Sequence, residues 1–194
     1  MKNAIILHGQ PSKEAYYSTL SNADSNSNVN WVPWLQQQLI AKDIFAHAPE
    51  IPFSFEPKYE IWKKEIERYD VNENTILVGH SAGAGFFTRW LSENKAIKIY
   101  KLILVAPYFD PFREIKEDFY NFEFDRNLST RVKNNIVVFH SDNDMEDVQI
   151  STKKLLDEVD NIIYQEFHGY GHFCEGWDMS SREFPELLEE CITK

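Results

Sequence analysis

Apolar residues along this chain follow two alternating rhythms. Short continuous runs recur at Ala4–Leu7, Ile44–His47, Thr75–Val78, Leu102–Val105, Ile136–His140 and Ile162–Phe167, with the length and composition of strands. Between most of them the apolar positions return every three or four residues: Trp31, Trp34, Leu35 and Leu39; Tyr59, Trp62, Ile66 and Tyr69; Val148, Leu155 and Val159; Phe184, Leu187, Leu188 and Cys191. Each such segment predicts a helix with one apolar stripe for a sheet. Strand and helix in alternation predict an α/β fold: a mostly parallel six-stranded sheet with helices on both faces. Pro57 reads as a first-turn proline opening the second of these helices.

Two segments break the alternation. Ser12 to Asn30 contains the polar run Ser21-Asn22-Ala23-Asp24-Ser25-Asn26-Ser27-Asn28, too hydrophilic to pack, and reads as a mobile surface loop. Pro107 to Thr130 mixes Tyr108, Phe109, Phe112, Phe119, Tyr120, Phe122 and Phe124 with acids, between two strands on the side where a site would open. It reads either as a short helical cap over a pocket or as a helix packed on the sheet.

With 194 residues, 43% of them hydrophobic, the chain can bury one core and reads as a single domain, 1–194. Its 20 Lys and Arg against 31 Asp and Glu give a net charge of -11, which argues against nucleic acid or an anionic membrane as the main partner. A neutral or cationic small molecule fits better. The apolar run near the N-terminus is too short for a signal peptide, and no run approaches the roughly 20 apolar residues of a membrane span, so a cytoplasmic protein is expected. Cys174 and Cys191 are the only cysteines, too few for a disulfide framework.

The most informative residues are Gly79-His80-Ser81-Ala82-Gly83. They follow a strand and lead into a helix-compatible stretch from Ala84 to Glu93, the context of a nucleophile elbow that lifts a serine hydroxyl clear of the sheet edge. If the second strand flanks the first on the outside, the turn His8-Gly9-Gln10 lies beside Ser81. The backbone N–H groups of Gln10 and Ala82 could then form an oxyanion hole. The fifth strand ends in Ser141-Asp142-Asn143-Asp144. Asp144 is preferred to Asp142 as the acid because hydrolases of this chain order place it a few residues into the turn with a helix following; Asp110 is an outside candidate. Beyond the last strand comes His168-Gly169-Tyr170-Gly171-His172-Phe173, where His172 has the reach of a base and His168 abuts the strand end. His8 and His80 are turn neighbours that could support the site. No histidine shows the spacing of a zinc site, and no cofactor is called for. With Ser81 as nucleophile, His172 as general base and Asp144 orienting it, activity is expected to rise with pH as the imidazole loses its proton.

These residues resemble the small alpha/beta-hydrolase family that includes the retinoblastoma-binding protein 9 serine hydrolase and bacterial YdeN-like proteins. The likeness runs over most of the chain: Gly9 after the first strand, Trp31 with Trp34, Ile61-Trp62, Gly79-His80-Ser81 with Gly83, Ser141 with Asp144, and Gly171-His172-Phe173. It implies a compact alpha/beta-hydrolase fold without a large cap domain, and a triad of Ser81, Asp144 and His172. No Leu-x-Cys-x-Glu motif occurs, so a retinoblastoma-type partner does not carry over. The expected activity is cleavage of a small carboxylic ester, or an amide, through an acyl-enzyme. A non-catalytic binding or regulatory protein keeping a vestigial triad is the alternative.

Overall fold

In the computed structural model of the chain, the described residues are 1–21, 25–115, 118–176 and 179–193, with the backbone alone for 19–21. Six strands, β1 (Asn3–Leu7), β2 (Phe45–His47), β3 (Thr75–His80), β4 (Lys101–Val105), β5 (Ile136–Ser141) and β6 (Ile162–Phe167), pair in parallel in the order β2-β1-β3-β4-β5-β6. Among the described residues six α-helices accompany them: α1 (Lys13–Ser21), α2 (Val32–Ile40), α3 (Tyr59–Ile66), α4 (Ala82–Glu93), α5 (Glu146–Glu158) and α6 (Pro185–Ile192).

The continuous apolar strands have a simple cause. Successive side chains point to opposite faces, and both faces are covered. Ile5, Leu7, Leu77, Leu102, Leu104 and Val138 pack with Trp62 and Ile66 of α3, Phe86, Phe87 and Trp90 of α4, and Leu155 of α5. Ala4, Ile6, Ile76, Val78, Ile103, Val105 and Phe139 pack on the other face with Leu35 and Leu39 of α2 and Leu187 of α6. Because the chain leaves β1 for β2 on one side and returns to β3 on the other, the strand order reverses between β1 and β3. A crevice forms there at the carboxyl ends of the strands. No helix among the described residues is long and apolar enough to cross a membrane.

Three expectations change. Pro57 lies before the cap of α3: Lys58 is extended (φ -114, ψ 120) and Tyr59 is the first helical residue, since a cap must have non-helical backbone. Where it is described, Ser12 to Asn30 is helix and tied-down turn rather than a mobile loop. Ser12 accepts the Ala15 N–H at 3.1 Å and caps α1, while Tyr16 is buried and its hydroxyl accepts the Phe53 N–H at 3.0 Å. Further on, a 3₁₀ turn at Asn26–Asn28 is tied to Glu50, which accepts from Asn26 Nδ2 (2.9 Å) and the Ser27 N–H (2.7 Å). Asn22, Ala23 and Asp24 of that polar run lie outside the described residues.

The stretch 107–130 fits neither expectation. Its regular structure is confined to 3₁₀ turns, at Asp118–Tyr120 and at Leu128–Arg131, which runs one residue past the stretch; residues 116 and 117 lie outside the described set. Phe119 is buried against Trp62 and Phe86, and Arg89 of α4 donates to the carbonyls of Asp118 and Phe119. The segment docks beside α4 rather than roofing the crevice.

Candidate active site

Ser81 stands between β3 and α4 with φ 52 and ψ -115, a backbone conformation that costs a non-glycine residue on the order of 1–3 kcal/mol. The surroundings hold it there. The Ser81 N–H donates to Val105 O (2.9 Å), and its carbonyl accepts from Gly85 (3.1 Å) and Tyr108 (3.3 Å). Gly83 and Gly85 each cost about 1 kcal/mol relative to alanine inside α4, and the reason for them, as for Gly79 in β3, is steric. A Cβ on Gly79 would lie 2.6 Å from Ala84 Cα, one on Gly83 would lie 2.6 Å from both the Leu7 and His8 carbonyl oxygens, and one on Gly85 would collide with Tyr108 O. Because backbone cannot yield as a side chain can, Gly83→Ala is expected to lower the unfolding free energy by about 1–3 kcal/mol or more, measurable by urea denaturation.

The second group comes from the loops after β5 and β6. His172 Nδ1 lies 3.0 and 3.1 Å from the Asp144 carboxylate oxygens. The Asp144 side chain is fully buried and that of His172 is 11% exposed. A carboxylate at Nδ1 puts the imidazole proton there and leaves Nε2 as an acceptor. Asp144 is itself oriented by the Met145 N–H (2.7 Å). Asp142 and His168 pair instead with each other, at 2.8 Å and in solvent. His168 is raised by its bond to Asp142, and Asp142 is lowered by the same bond and by the Gly169 N–H. Asp110 is spent on its own turn, accepting from Glu114 N (2.9 Å) and Ile115 N (3.0 Å).

Both groups meet at one cavity of about 170 Å³. Its wall includes Ser81, His172, His8, Gln10, Asn26 and Cys174. Gly9 lets the β1 turn approach, for a Cβ there would sit 3.1 Å from Ser81 Cβ. Among the described residues the N–H groups of Gln10 and Ala82 donate to no protein acceptor. The Gln10 side chain turns away to donate to Phe55 O (3.0 Å). Asn26, Asn30 and Cys174 are wall residues that sequence reasoning did not single out. Asn26 sits in the polar run, and Asn30 at the end of the segment containing it, whose composition suggested a loop. Cys174 is no rival nucleophile, because burial, then the Asp144 charge, push its thiol to about 12, and the thiolate is the reactive form. No group of three or more His, Cys, Asp or Glu among the described residues could hold a metal ion.

Two further imidazoles of the cavity wall are buried and neutral. Ile51 N donates to His8 Nε2 (3.1 Å), so His8 Nδ1–H donates to Gly9 O (2.7 Å). Burial lowers His8, against the attraction of Glu50. Burial, then the neighbouring His172, lower His80 to about 3. With folded values below the ordinary 6.5, the unfolded chain takes up protons that the fold refuses. Their contribution is therefore complete above about 6.5 and declines as pH falls from there, for His80 down to about 3. Urea midpoints are expected to drop between pH 7 and pH 5, and to drop less in His80→Gln.

The serine hydrolase family model matches residues 22–175. The chain belongs to the serine hydrolase family. This serine hydrolase is 29% identical over 180 residues to the YdeN protein of Bacillus subtilis (strain 168), spanning 90% of this chain and 87% of that one. The crystal structure of the B. subtilis ydeN product superposes with a TM-score of 0.78 at 24% identity, covering 98% of this chain and 97% of the other. Est1E from Butyrivibrio proteoclasticus gives 0.64 at 14% identity over 98% and 84%. The fold of this serine hydrolase is thus the alpha/beta-hydrolase fold in compact form.

Proposed function

We propose that this serine hydrolase cleaves small carboxylic esters, or amides, through an acyl-enzyme on Ser81, with His172 as general base and Asp144 as its orienting carboxylate. The observation that carries the reading is the shared cavity: Ser81 on its strained turn and His172, already bonded to buried Asp144, line one wall. Serine alone is a weak nucleophile at neutral pH. As its Oγ bonds to the acyl carbon, its proton passes to His172 Nε2, and Asp144 stabilises the imidazolium that results. The oxyanion would sit against the N–H groups of Gln10 and Ala82, with the first turn of α4 contributing its positive end. His172 then returns the proton to the leaving alcohol or amine, and water repeats the sequence on the acyl-enzyme.

The cavity also bounds the substrate. An engineered protein cavity of about 150 Å³ admits benzene, so about 170 Å³ suits a short acyl group. No Lys or Arg lines it among the described residues, and the Glu50 carboxylate lies 4.0 Å from His8 Nε2 on the wall. A negatively charged acyl group meets no counter-charge there. The test is a panel of p-nitrophenyl esters beside fluorophosphonate labelling. Acetate and butyrate esters are expected to turn over, and a hemisuccinate to react at least about tenfold more slowly in kcat/KM, a difference of about 1.4 kcal/mol. A chain that neither labels nor turns over any ester or amide would be the binding protein instead.

A further inference from the structure

The loop that carries His172 is held on two sides by residues outside the proposed triad. On its N–H side the end of β5 and the turn after it meet it residue by residue: Asp142 Oδ1 accepts from Gly169 N (3.0 Å), Ser141 Oγ from Tyr170 N (3.0 Å) and Asn143 Oδ1 from Gly171 N (2.8 Å). On its carbonyl side, His80 Nε2–H donates to His172 O at 2.8 Å and Trp31 Nε1–H to Phe173 O at 3.1 Å. One of these partners differs from the rest. His80 is bonded through its own peptide to Ser81, so a single side chain bridges the nucleophile turn and the backbone of the base. It is buried, and its ring packs 5.0 Å from that of His172 and 5.7 Å from that of Trp31.

We infer that His80 is a positioning residue for this reaction: its Nε2–H bond to the His172 carbonyl sets the separation between the Ser81 hydroxyl and the His172 ring. The inference rests on the proposed role of Ser81 and His172. Asp144 fixes the rotation and tautomer of the imidazole through its contacts with Nδ1. It does not hold the His172 backbone, and of the bonds that hold this loop, that of His80 is the one made by the residue joined directly to Ser81. Misplacement of a reacting group by about 1 Å costs on the order of 10²-fold in rate.

Two neutral variants isolate that bond. The terminal nitrogen of glutamine lies as many bonds from the backbone as imidazole Nε2, whereas that of asparagine lies one bond short and corresponds to Nδ1. His80→Gln is therefore expected to lose less than tenfold in kcat, and His80→Asn more than tenfold, with KM for a short ester within about twofold in both. Rates of fluorophosphonate labelling should fall in the same order. A residue that merely fills space would give variants that change alike, so equal losses, or no loss in His80→Asn, overturn the inference. Should His80→Asn not fold, His80→Gln decides alone: retained kcat supports the bond, and a loss beyond tenfold at wild-type KM overturns it. Turnover persisting in Ser81→Ala would be a separate result, striking the proposed mechanism beneath the inference.

Discussion

Ser81→Ala is expected to abolish fluorophosphonate labelling and to reduce ester turnover by on the order of 10⁴-fold or more, because the residues of such a unit fail together when the nucleophile is removed. The substitution removes one oxygen and little else. Alanine and serine both carry a Cβ, so the strain of φ 52 at this position and the packing of Cβ beside Gly9 are common to both. Unfolding midpoints of the two proteins should therefore agree closely, which separates lost chemistry from lost fold. Ser81→Gly supplies the complementary control. Glycine adopts positive φ freely, and a sparsely populated backbone region of this kind costs other residues on the order of 1–3 kcal/mol, so this variant should be inactive yet more stable than Ser81→Ala. Labelling that survives in Ser81→Ala would place the nucleophile elsewhere.

The sheet was legible in the sequence because burial on both faces turns the four inner strands, β1, β3, β4 and β5, into nearly unbroken apolar runs. Ile76-Leu77-Val78 is buried at every position, and so are Leu102 to Val105. The elbow was legible for a different reason: Gly79, Gly83 and Gly85 stand where a Cβ would strike backbone, so the steric demand is written as residue type. The partners of the N-terminal segment were not legible. Lys13–Ser21 has no continuous apolar stripe, and what fixes the region is remote in sequence: Phe53 reaches Tyr16, and Glu50 reaches Asn26 and Ser27. A polar run looks the same whether its amides face water or a half-buried carboxylate.

The aromatic stretch after β4 failed in the opposite way. Its residues announced burial, and Phe109 and Phe119 are indeed buried. Their spacing, however, matches neither the period of a helix nor that of a strand. Backbone without that regularity needs partners from outside, and the guanidinium of Arg89 supplies them to Asp118 and Phe119. The same logic governs the site. Chain order brings the loops after β3, β5 and β6 to one edge, but which carboxylate of a four-residue turn faces inward depends on the local backbone. The partners show the difference: Asp144 is bonded to Met145 N and His172 inside the protein, and Asp142 to Gly169 N and His168 in solvent.

Asp144→Asn and Asp142→Asn make the sharpest test of that division, since each replaces one oxygen by an amide nitrogen. At Asp144 the new amide faces two donors. Oδ1 accepts from Met145 N at 2.7 Å and His172 Nδ1 at 3.0 Å, and Oδ2 lies 3.1 Å from the same Nδ1. The amide oxygen must stay with the Met145 N–H, which turns the NH₂ group toward the imidazole. Two donors cannot face each other, so the proton of His172 moves to Nε2 and the ring can no longer accept from Ser81. A loss of about 10⁴-fold in kcat is expected with the fold intact, the size associated with a wrong tautomer in such triads. At Asp142 the amide oxygen can keep the Gly169 N–H, and what disappears is an ion pair in solvent. Such pairs contribute little, so kcat should stay within about twofold. Steady-state rates on one short ester decide the matter: a silent Asp144→Asn beside a crippled Asp142→Asn would exchange the two roles and move the proposed base from His172 to His168.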